Sequence, residues 1–341
     1  MRAPEAVQPP PPAPTQVGLL LAGLVVVVGA AAASVALGTR FVALPEVWGG
    51  LTGNDGTIAE AAVAKRIPRT VLAVMVGAAL GVSGAVLQGV TRNPLADPGI
   101  FGVSQGAALF VVTGIAFFSM SSPTAYLWVA ILGAAASAVF VYGVASAGRG
   151  GATPLKLALA GAVTAAAATS LVSAILLPRV DVMNVFRFWQ VGGVGGATPE
   201  RIGQVLPFLL VGFGTCLLCA RGLNSLALGD EVAAGLGERV WAIRLVSTGG
   251  AVVLCGAATA VAGPIGFVGL VIPHLSRMLV GLDHRWLLPM SALAGAALLS
   301  IADVVGRVVA RPAEVDVGIV TALIGAPVFI VLVRRMKVRG L

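Results

Sequence analysis

Side chains able to do chemistry are scarce in this 341-residue sequence, which holds two histidines, three cysteines and three lysines. Cys216 and Cys219 form a Cys-x-x-Cys, a spacing that suits thiol exchange or half of a zinc site. Hydrocarbon-like sequence surrounds the pair, so these cysteines and Cys255 read as small packing residues. A nucleotide-binding loop must end in Gly-Lys-Ser/Thr, because the lysine has to reach the phosphates. None of Lys65, Lys156 and Lys337 follows a glycine. The chain therefore hydrolyses no ATP itself, and its energy must come from a partner or an ion gradient. His274, within Ile272-Pro-His, reads as a structural hydrogen-bonding group near a helix break, since His284 falls in a loop and cannot complete a ligand set. Asp303 is the one acid deep in an apolar run, where a charge is costly and usually paired. With no paired buried acids, an intramembrane enzyme is hard to assemble, and the reading is a non-enzyme binding no cofactor or metal.

The elements that must position these groups follow from composition. The chain is 58% apolar and 11% charged, with a mean hydropathy of +0.99; a soluble domain carries roughly 25% charged residues. Lipid must be the solvent for most of it, and there only helices and closed barrels satisfy every backbone group. Long unbroken apolar runs, each near the ~20 residues a spanning helix needs, select helices. The expectation is an all-α polytopic membrane protein with ten transmembrane segments: 17–38, 67–90, 99–120, 125–147, 154–177, 202–220, 240–263, 267–281, 286–309 and 317–333. The eighth is short and interrupted around Pro264, Gly266 and Pro273, which predicts a broken or tilted helix packed against protein. Residues 1–16 are proline-rich and read as a disordered cytoplasmic tail, 17–335 as one ten-helix domain and 336–341 as a second tail. The first apolar run exceeds a signal-peptide core and reads as an uncleaved span.

Net charge is +8, from 22 basic and 14 acidic residues. The basic side chains sit between apolar runs, where they set topology rather than bind nucleic acid. Thirteen lie on the side of the termini and nine opposite, which places both termini in the cytoplasm. Lys65, Arg66 and Arg69 cluster on the wrong side for that rule, so the cluster calls for another role. Residues 221–239 form the longest internal cytoplasmic segment, with Asp230 and Glu231 suited to the first turn of a short helix. Gly77-x-x-x-Gly81 allows close helix approach, within one subunit or at a subunit interface.

The runs Arg66-Ile-Pro-Arg-Thr, Gly84-Ala-Val-Leu-Gln-Gly and Asn93-Pro-Leu-Ala-Asp-Pro-Gly resemble the FecCD family. So do Phe188-Trp, Gly192-Gly, Leu228-Gly-Asp-Glu, Gly235-Leu-Gly and Ala262-Gly-Pro-Ile-Gly-Phe-Val-Gly-Leu-Val-Ile-Pro-His. Asp283-His-Arg, Ala302-Asp and Gly318-Ile-Val-Thr-Ala-Leu-Ile-Gly-Ala-Pro extend the likeness over nearly all of 60–335. These are permease subunits of ABC importers for ferric siderophores, haem and vitamin B12. The resemblance implies the vitamin B12 importer permease-like (type II ABC importer) fold in the bacterial plasma membrane. It also implies a second permease subunit, identical or homologous, a cytoplasmic ABC ATPase dimer using ATP and Mg, and an extracytoplasmic substrate-binding (lipo)protein.

On matching positions the resemblance implies docking of the binding protein at Arg66, Arg69 and Arg307, with an intrahelical pair to Asp303 as the other reading of Arg307. It implies a cytoplasmic gate at Asn93, Pro94 and Leu95, a stretch that otherwise reads as a rigid turn. Gly229, Asp230, Glu231, Ala233, Gly235, Leu236 and Gly237 would form the coupling segment seated on the ATPase. Residues 148–153 match the family weakly, and no second gate is assigned there. The stretches 308–314 and 186–190 look closest to actinobacterial iron-siderophore permeases, leaving haem and vitamin B12 open. An ion-gradient-driven transporter is the alternative class; it calls for mid-membrane carboxylates, for which Asp303 alone is a candidate.

Overall fold

The computed structural model describes residues 12–39, 42–52, 56–147 and 153–335, and every regular element among them is helical. α1 (Ala13–Ala36), α2 (Leu44–Leu51) and α3 (Ile58–Thr91) are followed by a 3₁₀ turn (Pro98–Phe101) and α4 (Val103–Phe118). Then come α5 (Pro123–Ser146), α6 (Pro154–Leu176), α7 (Val180–Val191), α8 (Pro199–Leu218), α9 (Ala220–Ala227) and α10 (Asp230–Gly235). α11 (Val240–Ala262), α12 (Val268–Val280), α13 (His284–Val309) and α14 (Val317–Arg335) complete the chain. Seven helices are long and apolar enough to cross a membrane, α1, α3, α5, α6, α8, α11 and α13; α4, α12 and α14 are shorter apolar ones. Together they make the ten expected segments.

α1 starts near the end of α12, where the Gln16 amide donates to the Val280 carbonyl, and ends against α13 at Arg307. The first of these ends is called the terminal face below, the other the distal face. α1 reaches back to Ala13, four residues into the expected tail, because Pro12 caps it and Pro14 sits in its first turn, where no N–H is needed. Residues 1–11 and 336–341, the remaining tail residues, and most of the unassigned loop, 148–152, lie outside the described residues.

α3 is the central helix. Thr57 and Glu60 form a capping box at its start, and its 34 residues give it a length of about 50 Å, more than the ~30 Å hydrocarbon core. Its glycines face the rest of the same chain: a Cβ at Gly77 would land on the Gly295 carbonyl of α13, and one at Gly295 on the Gly77 carbonyl. The glycine spacing therefore serves packing of α3 on α13 within the subunit.

The eighth segment is a 13-residue helix entered through an irregular stretch. Gly263 and Phe267 there have φ of +72° and +67°, and α12 buries Val268, Val271, Ile272 and Ser276 against its neighbours. The third span begins four residues later than expected, because Pro98–Phe101 close a 3₁₀ turn ended by left-handed Gly102. α2 and α7 are additional short helices on the distal face.

Candidate functional site

The distal face is organised by arginines. α1 ends with orphan carbonyls and a negative dipole end, and three guanidinium groups meet it. Arg307 Nη1 donates to the Ser34 and Leu37 carbonyls at 3.0 and 3.1 Å. Arg66 Nη1 donates to those of Val35 and Ala36 at 3.1 and 2.8 Å. Arg311 Nη2 takes the Gly38 carbonyl. Arg307 also donates to the Ser34 hydroxyl at 2.7 Å, itself hydrogen-bonded to Thr70.

Behind this cap, Asp303 accepts from Arg69 Nε and Nη2 at 3.0 and 2.8 Å, and pairs with Arg307 Nη2 at 2.9 Å. The i,i+4 pair of Arg307 with Asp303 is thus present, and both are buried, at 2% and 1% exposure. Arg69 directs its remaining Nη1 outward to Glu314 at 2.7 Å. The three arginines expected to share a site line one cavity of about 250 Å³ with Lys65, Glu314 and Gly195. They are not equivalent there. Arg307 is covered over, Arg66 is buried, and Arg69 with the exposed Lys65 carries the charge nearest the surface.

The terminal face is built differently. α9 runs into Gly229, whose φ of +114° turns the chain sharply, and α10 begins at Asp230 with Glu231 in its first turn. Ala233 is buried and anchors α10, while Val232 and Leu236 are exposed at 51% and 64%. Gly237, at φ +83°, and Glu238 close the helix by donating to the Ala234 and Ala233 carbonyls. Gly235 lies at its exposed end. Asp230 accepts from Arg92, at the end of α3, and from Arg244 of α11 at 2.9 Å. A groove of about 500 Å³ runs beside α10 between these groups.

Arg92 directly precedes the turn expected at the gate. Asn93 N donates to the Gln88 carbonyl, and Asn93 Oδ1 accepts from Leu95 N at 2.9 Å, an Asx turn that fixes the 93–95 backbone. Pro94 is half-buried, and Leu95 presents its side chain at 38% exposure. Burial pushes the carboxyl of Asp97, which caps Gly99 N just beyond, above the usual carboxylate range.

Sequence reasoning missed a junction here. His284 is the buried first residue of α13, not a loop residue; its backbone N and ring Nδ1 both meet Asn224 Oδ1, while Asn224 Nδ2 donates to Asp283. His274, expected to be hydrogen-bonded through its side chain, instead makes no side-chain hydrogen bond among the described residues. Its ring is half-buried beside Arg277. No group of three His, Cys, Asp or Glu able to hold a metal occurs among the described residues, and the three cysteines are free thiols.

The pattern of the FecCD transport family matches residues 24–335. The chain belongs to that family. It is 40% identical over 318 residues to a probable siderophore transport system permease protein of Bacillus subtilis (strain 168), covering 93% of this chain and 96% of the relative. It is 46% identical over 275 residues to the ferric enterobactin transport system permease protein of Escherichia coli (strain K12), covering 81% and 82%. A solved structure of an inward-facing conformation of a metal-chelate type ABC transporter superposes with a TM-score of 0.82 at 31% identity, over 94% of this chain and all of that one. The FecCD chain described here therefore has the all-helical, multi-span permease fold of that family, whose members are permease components of ABC importers.

Proposed function

We propose that the chain is the pathway-forming permease of an ATP-driven importer of ferric siderophores, in a bacterial plasma membrane with its terminal face in the cytoplasm. Two copies, or this chain and a homologous one, enclose the pathway, and an ATPase dimer seats on α10. The observation that carries this reading is the Arg92–Asp230–Arg244 link. It ties the exposed α10 helix to the residue before the Asn93–Pro94–Leu95 turn. A push on α10 by nucleotide-driven closure reaches that turn through one ion pair, and Leu95 is the apolar side chain that would open or close the constriction.

At the distal face, the arginine-lined cavity suits acidic side chains of a substrate-binding protein. Complementary charge of this kind sets register and association rate. Arg69, flanked by exposed Lys65, makes first contact. Arg66 and Arg307 hold the cavity wall and contribute their field from below. The substrate class rests on the siderophore relatives, with haem and vitamin B12 as alternatives in the same family.

The test is reconstitution into liposomes with the partner ATPase and binding protein, followed by uptake of a radiolabelled ferric chelate. Uptake should cease when the ATPase Walker lysine is replaced. Gradient-driven uptake without the ATPase would overturn the reading. Charge reversal at Arg69 should slow binding-protein association, and an unchanged rate would remove that docking assignment.

A further inference from the structure

Towards the distal face, an apolar groove of about 680 Å³ opens between α4, α5 and α6, lined in part by Phe110, Thr113, Phe117, Phe118, Leu171 and Ile175. Phe117, Phe118 and Leu171 are largely exposed along it. The Thr113 hydroxyl is already spent on the Leu109 carbonyl at 2.7 Å, so it offers a ligand no free donor. A hydrated chelate would lose water in this groove without compensation; a hydrocarbon chain would not.

Two further features narrow the occupant. The α4 wall of the groove runs from Leu109 to Phe118, about 13 Å of helix at 1.5 Å per residue, close to half of the ~30 Å hydrocarbon core. The groove thus has the depth of one leaflet. At its outer end Arg179 lies over the Phe117 ring at 4.3 Å and donates to the Ala116 carbonyl at 2.6 Å. Among the described residues no carboxylate lies within ion-pair distance of that guanidinium, Asp181 two residues on included. A fixed positive charge without an acid partner stands over an apolar slot one leaflet deep.

We propose that the groove binds one acyl chain of an anionic phospholipid from the leaflet at the distal face, with the lipid phosphate held at Arg179. The chain wedges between α4 and α6, and the phosphate supplies the anion that Arg179 lacks. Only the name of the leaflet, outer rather than inner, rests on the orientation proposed above.

Native mass spectrometry of the purified permease, with phosphatidylglycerol or phosphatidylcholine of identical chains added, tests this without reference to transport or leaflet. The wild type should retain phosphatidylglycerol about five-fold better than phosphatidylcholine, the ratio expected of roughly 1 kcal/mol from one arginine near the surface. Leu171→Trp, which fills the groove from α6, should abolish retention of both. Arg179→Gln should keep the chain but lose the headgroup preference, and Arg179→Lys should restore it. Equal retention of the two lipids by the wild type overturns the proposal, as does undiminished retention by Leu171→Trp. A disulfide-linked permease dimer from Phe118→Cys in membranes would show instead that a second copy covers the groove.

Discussion

Each face of this FecCD permease places one aspartate between two arginines, and the two triads differ in exposure. Asp303 joins Arg69 and Arg307 at 1% exposure; Asp230 joins Arg92 and Arg244 at 45%. Water competes little for the first, whereas in the second it reaches Asp230 and Arg92, with Arg244 the drier partner at 11% exposure. A buried charge that loses its partner stays desolvated and uncompensated, so the Asp303 triad is a fixed joint holding α3 and α13 together, with Arg307 carrying the end of α1. An exposed pair can open and reform at small cost, which suits a link that must move. The same three-residue chemistry thus suits a lock at one face and, on the proposed coupling, would act as a relay at the other.

The comparison breaks most sharply at Asp303. Asp303→Ala leaves Arg307 buried without an acid and Arg69 with Glu314 alone, and the expected loss is about 3–5 kcal/mol. It should be read as a large fall in melting temperature of the detergent-solubilised protein. A variant that melts like the wild type would remove the distinction between the two triads.

Arg307→Met should cost less, because Asp303 keeps Arg69. It strips the Ser34 and Leu37 carbonyls of their donor; Leu37 is 45% exposed and its carbonyl can turn to water, so the cost is about 1–3 kcal/mol for the buried Ser34 carbonyl. Hydrogen exchange should show the loosening at the end of α1. Arg307→Lys should recover only part, since an ammonium cannot fork between carbonyls and carboxylate. Full recovery would mean that charge alone, not the planar fork, holds the joint.

How much of this could be read in the sequence depends on the range over which each interaction acts. Asp303 and Arg307 are one helical turn apart, so their pairing was legible from spacing. Arg69 is 234 positions from Asp303, and nothing local announces that contact. α10 was legible because Gly229, Asp230 and Glu231 carry a turn and a helix start in consecutive residues. Its attachment to Arg92 and Arg244 was not, being tertiary. His284 was misplaced for the same reason: its partner Asn224 is 60 residues upstream, and Asp283-His-Arg looks like an ordinary polar loop. The ten segments followed from hydropathy, whereas α7 mixes Asp181, Asn184 and Arg187 into an apolar background and gives no spanning signal.

A smaller effect is expected at the Asn93–Leu95 turn, the proposed gate. Asn93→Ala removes the side-chain acceptor for Leu95 N, about 1 kcal/mol for one partly exposed hydrogen bond. Melting should hardly change. Proteoliposomes should leak substrate without ATP if the Asx turn sets the position of Leu95, and tight vesicles would reduce the turn to a connector.

The smallest change in stability, and the most informative, is expected from Asp230→Ala. An exposed pair contributes about 0–1 kcal/mol; Arg92, at 37% exposure, regains water when the acid is removed, and Arg244, at 11%, does so less fully, so the melting temperature should fall only slightly below that of the wild type. Transport should not. With the link cut, α10 still has Ala233 to anchor it and keeps Val232 and Leu236 exposed for the proposed ATPase partner, so the complex should assemble and hydrolyse ATP. Motion would no longer reach the Asn93 turn, and uptake per ATP hydrolysed should fall several-fold. Asp230→Glu, which keeps the charge on a longer stem, should recover part of the ratio. Unchanged uptake per ATP in Asp230→Ala would make the terminal triad a surface ion pair and nothing more. A large drop in melting temperature would make it a second lock, and the contrast between the faces would disappear.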